Sequence, residues 1–243
     1  GKRHGPVGLL EYRDAGILPE AMFNYLALLG WNPGEGETQE IFSRAELIEK
    51  FTLENVNKAG MIFDVEKLAH INTEYLRTLP INEFMILAQP HLPPFEVDEY
   101  ARRALDAARE RIRTVAEVNE VINADGKKET LTKLSTDISG PAAYFLTDDF
   151  TLDAAGAAKH LTDVSKPRLQ QLRERLEALP EWNHDSIEQA LRGLAEDLKI
   201  KPAELIHPAR MAVSGRTVGP SIFELLEVLG HERVLRRMAR ARS

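Results

Sequence analysis

The chain has 243 residues, 43% of them hydrophobic, and a formal net charge of -7 at pH 7; this length suits two ordinary domains, each with its own core. It contains no cysteine, which excludes disulfide frameworks, thiolate zinc sites and cysteine nucleophiles and favours a cytoplasmic protein. No apolar run approaches the roughly 20 residues that a membrane span needs, so no membrane partner is expected.

The net negative charge argues against nucleic-acid binding by the chain as a whole, because phosphates are bound by lysine and arginine. Local clusters matter more than the sum, and arginine is concentrated near the end of the sequence at Arg233, Arg236, Arg237, Arg240 and Arg242. Two interpretations stay open for this cluster. The arginines either contact RNA or form a solvated helix end that compensates the helix dipole.

The first third of the sequence is predicted to be helical, although residues 5–12 are compatible with an extended segment. Pro19 suits the first position of a helix that carries an apolar stripe and stops at Gly30. Ser43 and Glu46 have capping-box spacing, and Asp64 is a candidate N-cap for the next helix.

Prolines interrupt the chain on both sides of residues 81–89 and place the first domain boundary there: Pro80, Pro90, Pro93 and Pro94. Residues 97–121 are predicted to form one long amphipathic helix rich in arginine. From Asn123 to Ser139 the composition is polar and turn-forming, which indicates a loop or a short irregular excursion.

Helices are predicted to resume at Asp153. Four leucines at steps of three and four residues indicate a buried stripe: Leu169, Leu172, Leu176 and Leu179. Asp185 with Glu188 is expected to cap the following helix, and residues 221–229 should form another short one. The expected fold class is therefore all-α.

The first residues, Gly1 to Gly5, bring Lys2, Arg3 and a histidine together between glycines. Such a loop suits transient polyphosphate binding, because glycine lets the backbone approach closely and the cations stabilise negative oxygens. A cloning remnant or a flexible tail is the alternative. No pair of histidines has the spacing of a helical zinc site, so no metal site is expected.

Longer motifs decide between these alternatives, because several of them in order closely resemble bacterial-type glutamyl-tRNA synthetases. They are Lys2-Arg3-His4-Gly5, Glu11-Tyr12-Arg13-Asp14-Ala15-Gly16, Leu18-Pro19-Glu20-Ala21, Asn24 to Trp31, Tyr144 to Phe150, and Ser214 to Pro220. The resemblance covers almost the whole chain. Two departures are Gly1 at the position of a serine in the family's ATP-binding loop, and the excursion from Asn123 to Ser139. The family's nucleotide-binding domain with its His-Ile-Gly-His signature is absent.

The resemblance implies three regions: residues 1–5 as a remnant of the ATP-binding signature loop, 6–94 as a helical stem-contact domain, and 95–243 as an α-helical anticodon-binding cage with a subdomain break within 150–182. Lys2 then matches the lysine that stabilises the ATP phosphates. The implied tRNA-binding residues are Arg3, Arg13, Asn24, Arg210 and Arg216. A surface salt bridge stays open as the alternative for Arg210, and a structural role in the turn for Arg216. Trp31 is also placed for contact, but a helix-end tryptophan is more often part of a core.

The implied function is the tRNA-binding half of glutamate–tRNA ligase, a class I enzyme that uses ATP with Mg to attach glutamate to tRNA-Glu through glutamyl-adenylate. In this interpretation the full-length enzyme binds L-glutamate and ATP, whereas the fragment needs no cofactor, is catalytically inactive, and binds tRNA-Glu or also tRNA-Gln as a cytoplasmic monomer. The alternative is a helical protein-interaction scaffold without an RNA partner, which the acidic charge and leucine stripes also allow.

Overall fold

The computed structural model describes residues 8–34, 37–57, 60–92, 95–116, 121–122, 128–129 and 140–241. Helices dominate these residues, so the all-α prediction is confirmed. The strands found in the described part are β1 (Val121–Ile122) and β2 (Lys128–Glu129), which pair antiparallel. The other residues of the predicted excursion, 123–127 and 130–139, lie outside the described residues.

The chain divides into two compact units. Unit 1 comprises Gly1–Pro93 and Ile112–Ser135, and unit 2 comprises Pro94–Arg111 and Thr136–Ser243. By this division the chain returns to unit 1 after Arg111, whereas the functional division into residues 6–94 and 95–243 stays a prediction. This return is visible in the contacts of residues 112–116, described below.

Unit 1 contains five described α-helices followed by a 3-10 turn at Gln89–His91. The helices are α1 (Leu9–Asp14), α2 (Pro19–Leu28), α3 (Arg44–Lys50), α4 (Val65–Thr78) and α5 (Ile81–Ala88). In unit 2 the described helices are α6 (Glu99–Arg109), α7 (Ala143–Leu146), α8 (Ala154–His160), α9 (Ser165–Glu177), α10 (His184–Asp197), α11 (Ala203–Ser214), α12 (Ile222–Leu229) and α13 (His231–Arg240).

Local capping chemistry explains why several helices begin where the sequence predicts. Pro19 is the first residue of α2. Ser43 and Glu46 form the predicted capping box, with the Ser43 N–H donating to the Glu46 carboxylate at 2.6 Å. The Asp64 carboxylate accepts from the backbone N–H groups of Glu66 and Lys67.

Three predicted boundaries are wrong. Residues 9–14 are helical rather than extended, since the Glu11 carboxylate accepts from the Gly8 N–H at 3.1 Å and closes the first turn. Asn183, not Asp185, caps α10, its side-chain oxygen accepting from the Ser186 N–H at 2.9 Å. The arginine-rich helix ends at Arg109 instead of continuing to residue 121.

The early end of α6 has a tertiary cause in unit 1. Asn72 of α4 is fully buried, and its amide donates to the carbonyls of Gly16 and Arg113 and accepts from the Leu18 N–H at 2.8 Å. The Thr114 hydroxyl donates to the Ala15 carbonyl at the end of α1. These bonds hold residues 112–114 against the turn between α1 and α2, which a continuing helix would prevent.

Gly16 is required at this turn for two reasons. Its φ is +80°, in the left-handed region that glycine favours. A Cβ at this position would also meet the Thr114 hydroxyl and would lie 2.6 Å from the Ala116 backbone nitrogen.

The core of unit 2 forms where α9 packs against α10, α11 and α13. The predicted stripe residues Leu169, Leu172 and Leu176 are at most 1% exposed, whereas Leu179 follows the helix and is only partly buried. Helix α12 packs against α6 and α10. Helices α7 and α11 and the turn after α11 carry residues of the candidate site.

Candidate functional site

The centre of the site is Arg210, which lies on α11 and is 9% exposed. Its Nη1 atom is buried and has no hydrogen-bond partner. Burial lowers the pKa of the Arg210 guanidinium; nearby Tyr144 raises it, and Arg111 lowers it. A buried arginine normally pairs with a carboxylate or several carbonyls, so leaving this nitrogen without a partner carries a desolvation cost.

Tyr144 on α7 is the second member of the site. It is 2% exposed, and its hydroxyl is also buried without a hydrogen-bond partner. Burial raises the pKa of Tyr144 to about 12, although Arg210, Arg216 and Arg111 act to lower it. The phenol therefore keeps its proton at neutral pH and can donate as well as accept.

The two unpartnered groups are surrounded by further positive charge. Arg111, which is exposed, and Arg216, which is partly buried, both act on the pKa of Tyr144. The Arg216 guanidinium also donates to the Gly140 carbonyl at 3.4 Å. Glu224 is the acidic group with an opposing effect on the Tyr144 pKa. The site is therefore basic although the whole chain has a formal charge of -7.

The turn after α11 packs closely against the Arg210 guanidinium. Gly215 ends the helix with φ of +69°, and the Ser214 hydroxyl donates to the Arg210 carbonyl at 2.8 Å. At Gly219 a Cβ would lie 3.0 Å from Arg210 Nη1 and 3.4 Å from the Tyr144 hydroxyl. Glycine is thus the residue that lets this turn approach both groups closely.

Of the predicted tRNA-binding residues, Arg210 and Arg216 come together at this site. Arg13 lies in unit 1, where its exposed guanidinium pairs with the neighbouring Asp14 at 2.8 Å. Lys2 and Arg3 lie outside the described residues.

The prediction for Asn24 needs correction, because the residue is fully buried. Its amide donates to the Glu40 carbonyl at 2.8 Å, and its oxygen accepts from the Phe42 N–H at 2.7 Å and from the Tyr75 hydroxyl at 3.2 Å. Three of the four hydrogen-bonding capacities of the amide are thus directed to the protein itself. Asn24 therefore fixes the loop before α3 and does not face a ligand.

Trp31 is part of the core, as favoured from the sequence. It is 4% exposed and packs with Phe42 and Leu47.

The arginines near the end of the sequence have a structural role. Arg237 is 1% exposed, donates to the carbonyls of Val213 and Thr147, and pairs with Asp148 at 2.7 Å. Arg233, Arg236 and Arg240 also reach Asp148 or its backbone. Arg242 lies outside the described residues. For the described members of this cluster, the contacts with Asp148 and with backbone carbonyls indicate a structural role, but the predicted solvated helix end is wrong for the buried Arg237.

Sequence reasoning missed two members of the site, Arg111 and Tyr144. Arg111 belongs to the predicted arginine-rich helix and Tyr144 begins the Tyr144 to Phe150 motif, but no local pattern in the sequence connects either residue with Arg210. Among the described residues, no group of three or more potential metal ligands is found. None of the described helices combines the length and apolar character that a bilayer-spanning helix requires.

Comparison with protein families gives two matches. Residues 83–242 match the family described as anticodon binding domain. Residues 1–70 match the family described as the catalytic domain of class I tRNA synthetases (E and Q).

Curated relatives are glutamate–tRNA ligases. That of Moorella thermoacetica is 42% identical over 250 residues, covering 99% of this chain and 46% of the relative. That of Desulforudis audaxviator is 37% identical over 256 residues, with the same 99% and 46% coverage. The chain thus spans somewhat under half the length of these relatives.

Two solved structures resemble the fold over 95% of this chain and 42% of their own. A glutamate tRNA ligase from Elizabethkingia meningosepticum, crystallised in complex with its amino acid, superposes with a TM-score of 0.71 at 26% identity. The glutamate-tRNA synthetase from Elizabethkingia anophelis gives a TM-score of 0.67 at 26% identity.

Proposed function

Because this chain belongs to the anticodon-binding-domain family and corresponds to the C-terminal part of glutamate–tRNA ligases, we propose that it binds the inner stem and anticodon of tRNA-Glu. The observation that carries this proposal is the pair of buried, unpartnered polar groups on Arg210 and Tyr144. A buried donor without an acceptor costs roughly 1–3 kcal/mol. A ligand that supplies the acceptor offsets that cost.

An unstacked RNA base is a suitable ligand for this site. Single-stranded bases present oxygen and nitrogen acceptors on their Watson–Crick edges, and arginine forks and tyrosine hydroxyls bind such edges. Arg111 and Arg216 add the positive charge that neighbouring phosphates need. We assign base contact to Arg210 and Tyr144, and electrostatic support to Arg216 and Arg111.

Residues 6–94, nearly all of which belong to unit 1, are proposed as the stem-contact domain, with Arg13 and Arg3 as tRNA-binding residues. Arg13 is exposed and paired with Asp14. A tRNA phosphate has to compete with the Asp14 carboxylate for the Arg13 guanidinium, so the binding free energy gained from this contact is small. Asn24 is left out of this surface because its buried amide is hydrogen-bonded to Glu40, Phe42 and Tyr75, unlike the unpartnered groups of Arg210 and Tyr144.

The proposal extends to the parent enzyme. It attaches L-glutamate to tRNA-Glu through glutamyl-adenylate with ATP and Mg, with Lys2 stabilising the ATP phosphates, and acts as a cytoplasmic monomer. The present chain supplies the tRNA-binding part of that activity and forms no adenylate alone.

An ATP–pyrophosphate exchange assay on the isolated chain is therefore expected to give no signal. Acceptance of tRNA-Gln as a second substrate is tested by titrating the same chain with that tRNA.

Binding of tRNA-Glu and of a non-cognate tRNA should be measured by gel shift for the wild-type chain and three variants. Arg210→Ala is expected to weaken binding of tRNA-Glu by 1–3 kcal/mol, or roughly 5- to 150-fold. Arg210→Lys keeps the charge but loses the fork, so tRNA-Glu affinity falls while the salt dependence is retained. Arg175→Ala, which removes a surface pair with Asp197, is the matched control and should leave affinity unchanged.

Circular dichroism and thermal melting establish that each variant is folded. A folded Arg210→Ala protein with wild-type affinity for tRNA-Glu removes Arg210 from the site. Equally weak binding of both tRNAs by the wild-type chain favours the scaffold function instead.

A further inference from the structure

The buried guanidinium of Arg237 connects the ends of the two helices that carry Arg210 and Tyr144. Its Nη1 atom donates to the Val213 carbonyl at 2.6 Å, and Val213 lies three residues after Arg210 in α11. Its Nη2 atom donates to the Thr147 carbonyl at 2.9 Å, and Thr147 lies three residues after Tyr144, directly behind α7. One side chain of α13 therefore holds the C-terminal ends of α7 and α11 together.

Each nitrogen of the Arg237 guanidinium takes part in this connection. The Nε atom donates to the Asp148 carboxylate at 2.8 Å, and Nη2 lies 2.7 Å from the same carboxylate oxygen. The guanidinium carbon lies 4.7 Å from the centre of the Phe150 ring. That ring packs against the turn after α11, since a Cβ at Gly215 would lie 3.0 Å from it. Because Arg237 is 1% exposed, these contacts are shielded from water.

Helix α7 depends on such tertiary contacts for its position. It has four residues, and no side chain caps its N-terminus; helices this short are not stable in water on their own. The Phe145 carbonyl of α7 accepts from the Tyr100 hydroxyl at 2.5 Å and from the Arg233 guanidinium at 3.4 Å. Arg233 and Arg237 both belong to α13. The C-terminal helix therefore fixes the short helix that carries Tyr144.

Arg210 and Tyr144 need this support because their free groups do not hold each other. A Cβ at Gly219 would lie 3.0 Å from Arg210 Nη1 and 3.4 Å from the Tyr144 hydroxyl, so both groups approach the same point. Neither atom has a hydrogen-bond partner, so they are not bonded to one another. A ligand binds less tightly when it must first order the groups that receive it. The spacing of these two groups is set by the helices that carry them.

We propose that Arg237 is a positioning residue of the tRNA site: its bonds to α7 and α11 hold the Tyr144 hydroxyl beside the Arg210 guanidinium, in the arrangement that an RNA base requires. The inference rests on the proposed function, because Arg237 acts through Arg210 and Tyr144 and does not contact the RNA itself.

Arg237→Lys in the full chain is the test variant. It keeps a positive charge beside Asp148, but one ammonium group cannot replace a planar fork that donates in several fixed directions. Arg175→Lys, at a surface pair with Asp197, is the matched control for the substitution. Leu191→Ala, at a fully buried leucine of α10, is the control for lost stability, because α10 carries none of the residues assigned to the site. Affinities are compared at a temperature at which thermal melting shows every variant to be folded.

Arg237→Lys is expected to weaken binding of tRNA-Glu roughly tenfold, whereas both controls stay within about twofold of the wild type. The slope of log K against log salt should be unchanged, because loss of a direct phosphate contact would lower it by about 1. Arg210→Ala combined with Arg237→Lys should bind as weakly as Arg210→Ala alone, since the site through which Arg237 acts is already lost.

A folded Arg237→Lys protein with wild-type affinity would overturn the inference. Losses that multiply in the double variant, a salt slope lowered by about 1, or an equal loss in Leu191→Ala would do the same. If Arg237→Lys does not fold, Asp148→Asn takes its place; it retains Arg237, removes the charge that orients it, and should weaken tRNA-Glu binding roughly 3- to 10-fold.

Arg210→Ala separates this inference from the proposed function. If Arg210→Ala weakens binding and Arg237→Lys does not, only the inference fails. If Arg210→Ala itself has no effect, the proposed function loses its site, and the role of Arg237 is refuted with it.

Discussion

Asp148 is the carboxylate that holds the end of α13 to the loop after α7, and its removal is expected to destabilise unit 2. Its Oδ1 accepts from Arg237 Nε at 2.8 Å, and its Oδ2 accepts from Arg236 Nη2 at 2.5 Å. Arg237 is 1% exposed, whereas the Asp148 side chain is 29% exposed. Asp148→Ala would thus leave a buried guanidinium without its counter-charge.

The expected loss of stability depends on the hydrogen bonds that Arg237 retains in the Asp148→Ala variant. Removing one partner of a fully buried ion pair costs about 3–5 kcal/mol. Arg237 keeps the carbonyls of Val213 at 2.6 Å and Thr147 at 2.9 Å, and Asp148 is partly solvated, so a loss of roughly 2–3 kcal/mol is expected. Asp148→Asn keeps a carbonyl acceptor and should lose roughly 1–2 kcal/mol.

Urea denaturation measures these losses as a shift of the midpoint at constant m-value. Asp149→Ala and Asp149→Asn are the controls, because Asp149 is the next residue, carries the same charge and is exposed. They should stay within about 0.5 kcal/mol of the wild type. Equal losses at positions 148 and 149 would refute the argument from burial.

The pH dependence gives an independent check. Burial raises the pKa of Asp148, but hydrogen bonds from Arg237 and Arg236 outweigh burial and leave the pKa lowered. A lowered folded-state pKa contributes stability that is present above the unfolded value of about 3.9 and is lost as pH falls through the folded value. The stability difference between wild type and Asp148→Asn should therefore be constant from neutral to mildly acidic pH and shrink below about pH 4.

Three further substitutions test the packing of unit 1 and its helix starts by urea denaturation. Gly16→Ala should cost roughly 2–4 kcal/mol, because φ is +80° and the new Cβ would crowd Thr114 and Ala116; Gly30→Ala, where nothing lies within 4 Å of the added Cβ, is its control. Asn72→Ala should cost roughly 2–4 kcal/mol by leaving the buried Leu18 N–H without its acceptor and by removing the donor to the Gly16 and Arg113 carbonyls, and a loss near zero would mean that water replaces the amide. Ser43→Ala should cost about 1 kcal/mol through the lost cap, and a loss as large as that of Asn72→Ala would contradict a purely local role.

The features that the sequence predicted well are local. A capping box needs only Ser43 and Glu46 three residues apart, and the stripe from Leu169 to Leu176 follows from helical periodicity. The predicted end of α6 is wrong because the observed end depends on Asn72 and Thr114. These residues contact the turn at Gly16 from distant parts of the chain.

The site is predicted only in part for the same reason. The resemblance of motifs indicates Arg210 and Arg216, but the proximity of Arg210 to Tyr144 brings together residues that are 66 positions apart in the sequence. Asn24 was misassigned because a polar residue in a helix does not reveal which way it faces. Its burial depends on Tyr75 and on the loop before α3. Both lie outside α2, so the residues around Asn24 do not predict these contacts.

The return of the chain to unit 1 has a consequence for synthesis. The bond from Thr114 to Ala15 spans 99 positions, so the turn at Gly16 cannot be completed until Thr114 has been made. At about 5–20 residues per second, the ribosome takes roughly 5–20 s to cover that interval. During this time the Asn72 amide lacks its acceptor at the Arg113 carbonyl. Unit 1 cannot complete its packing until residues 112–114 have been synthesised, and these follow the Pro94–Arg111 part of unit 2. The unit that comes first in the sequence is therefore not free to finish folding first.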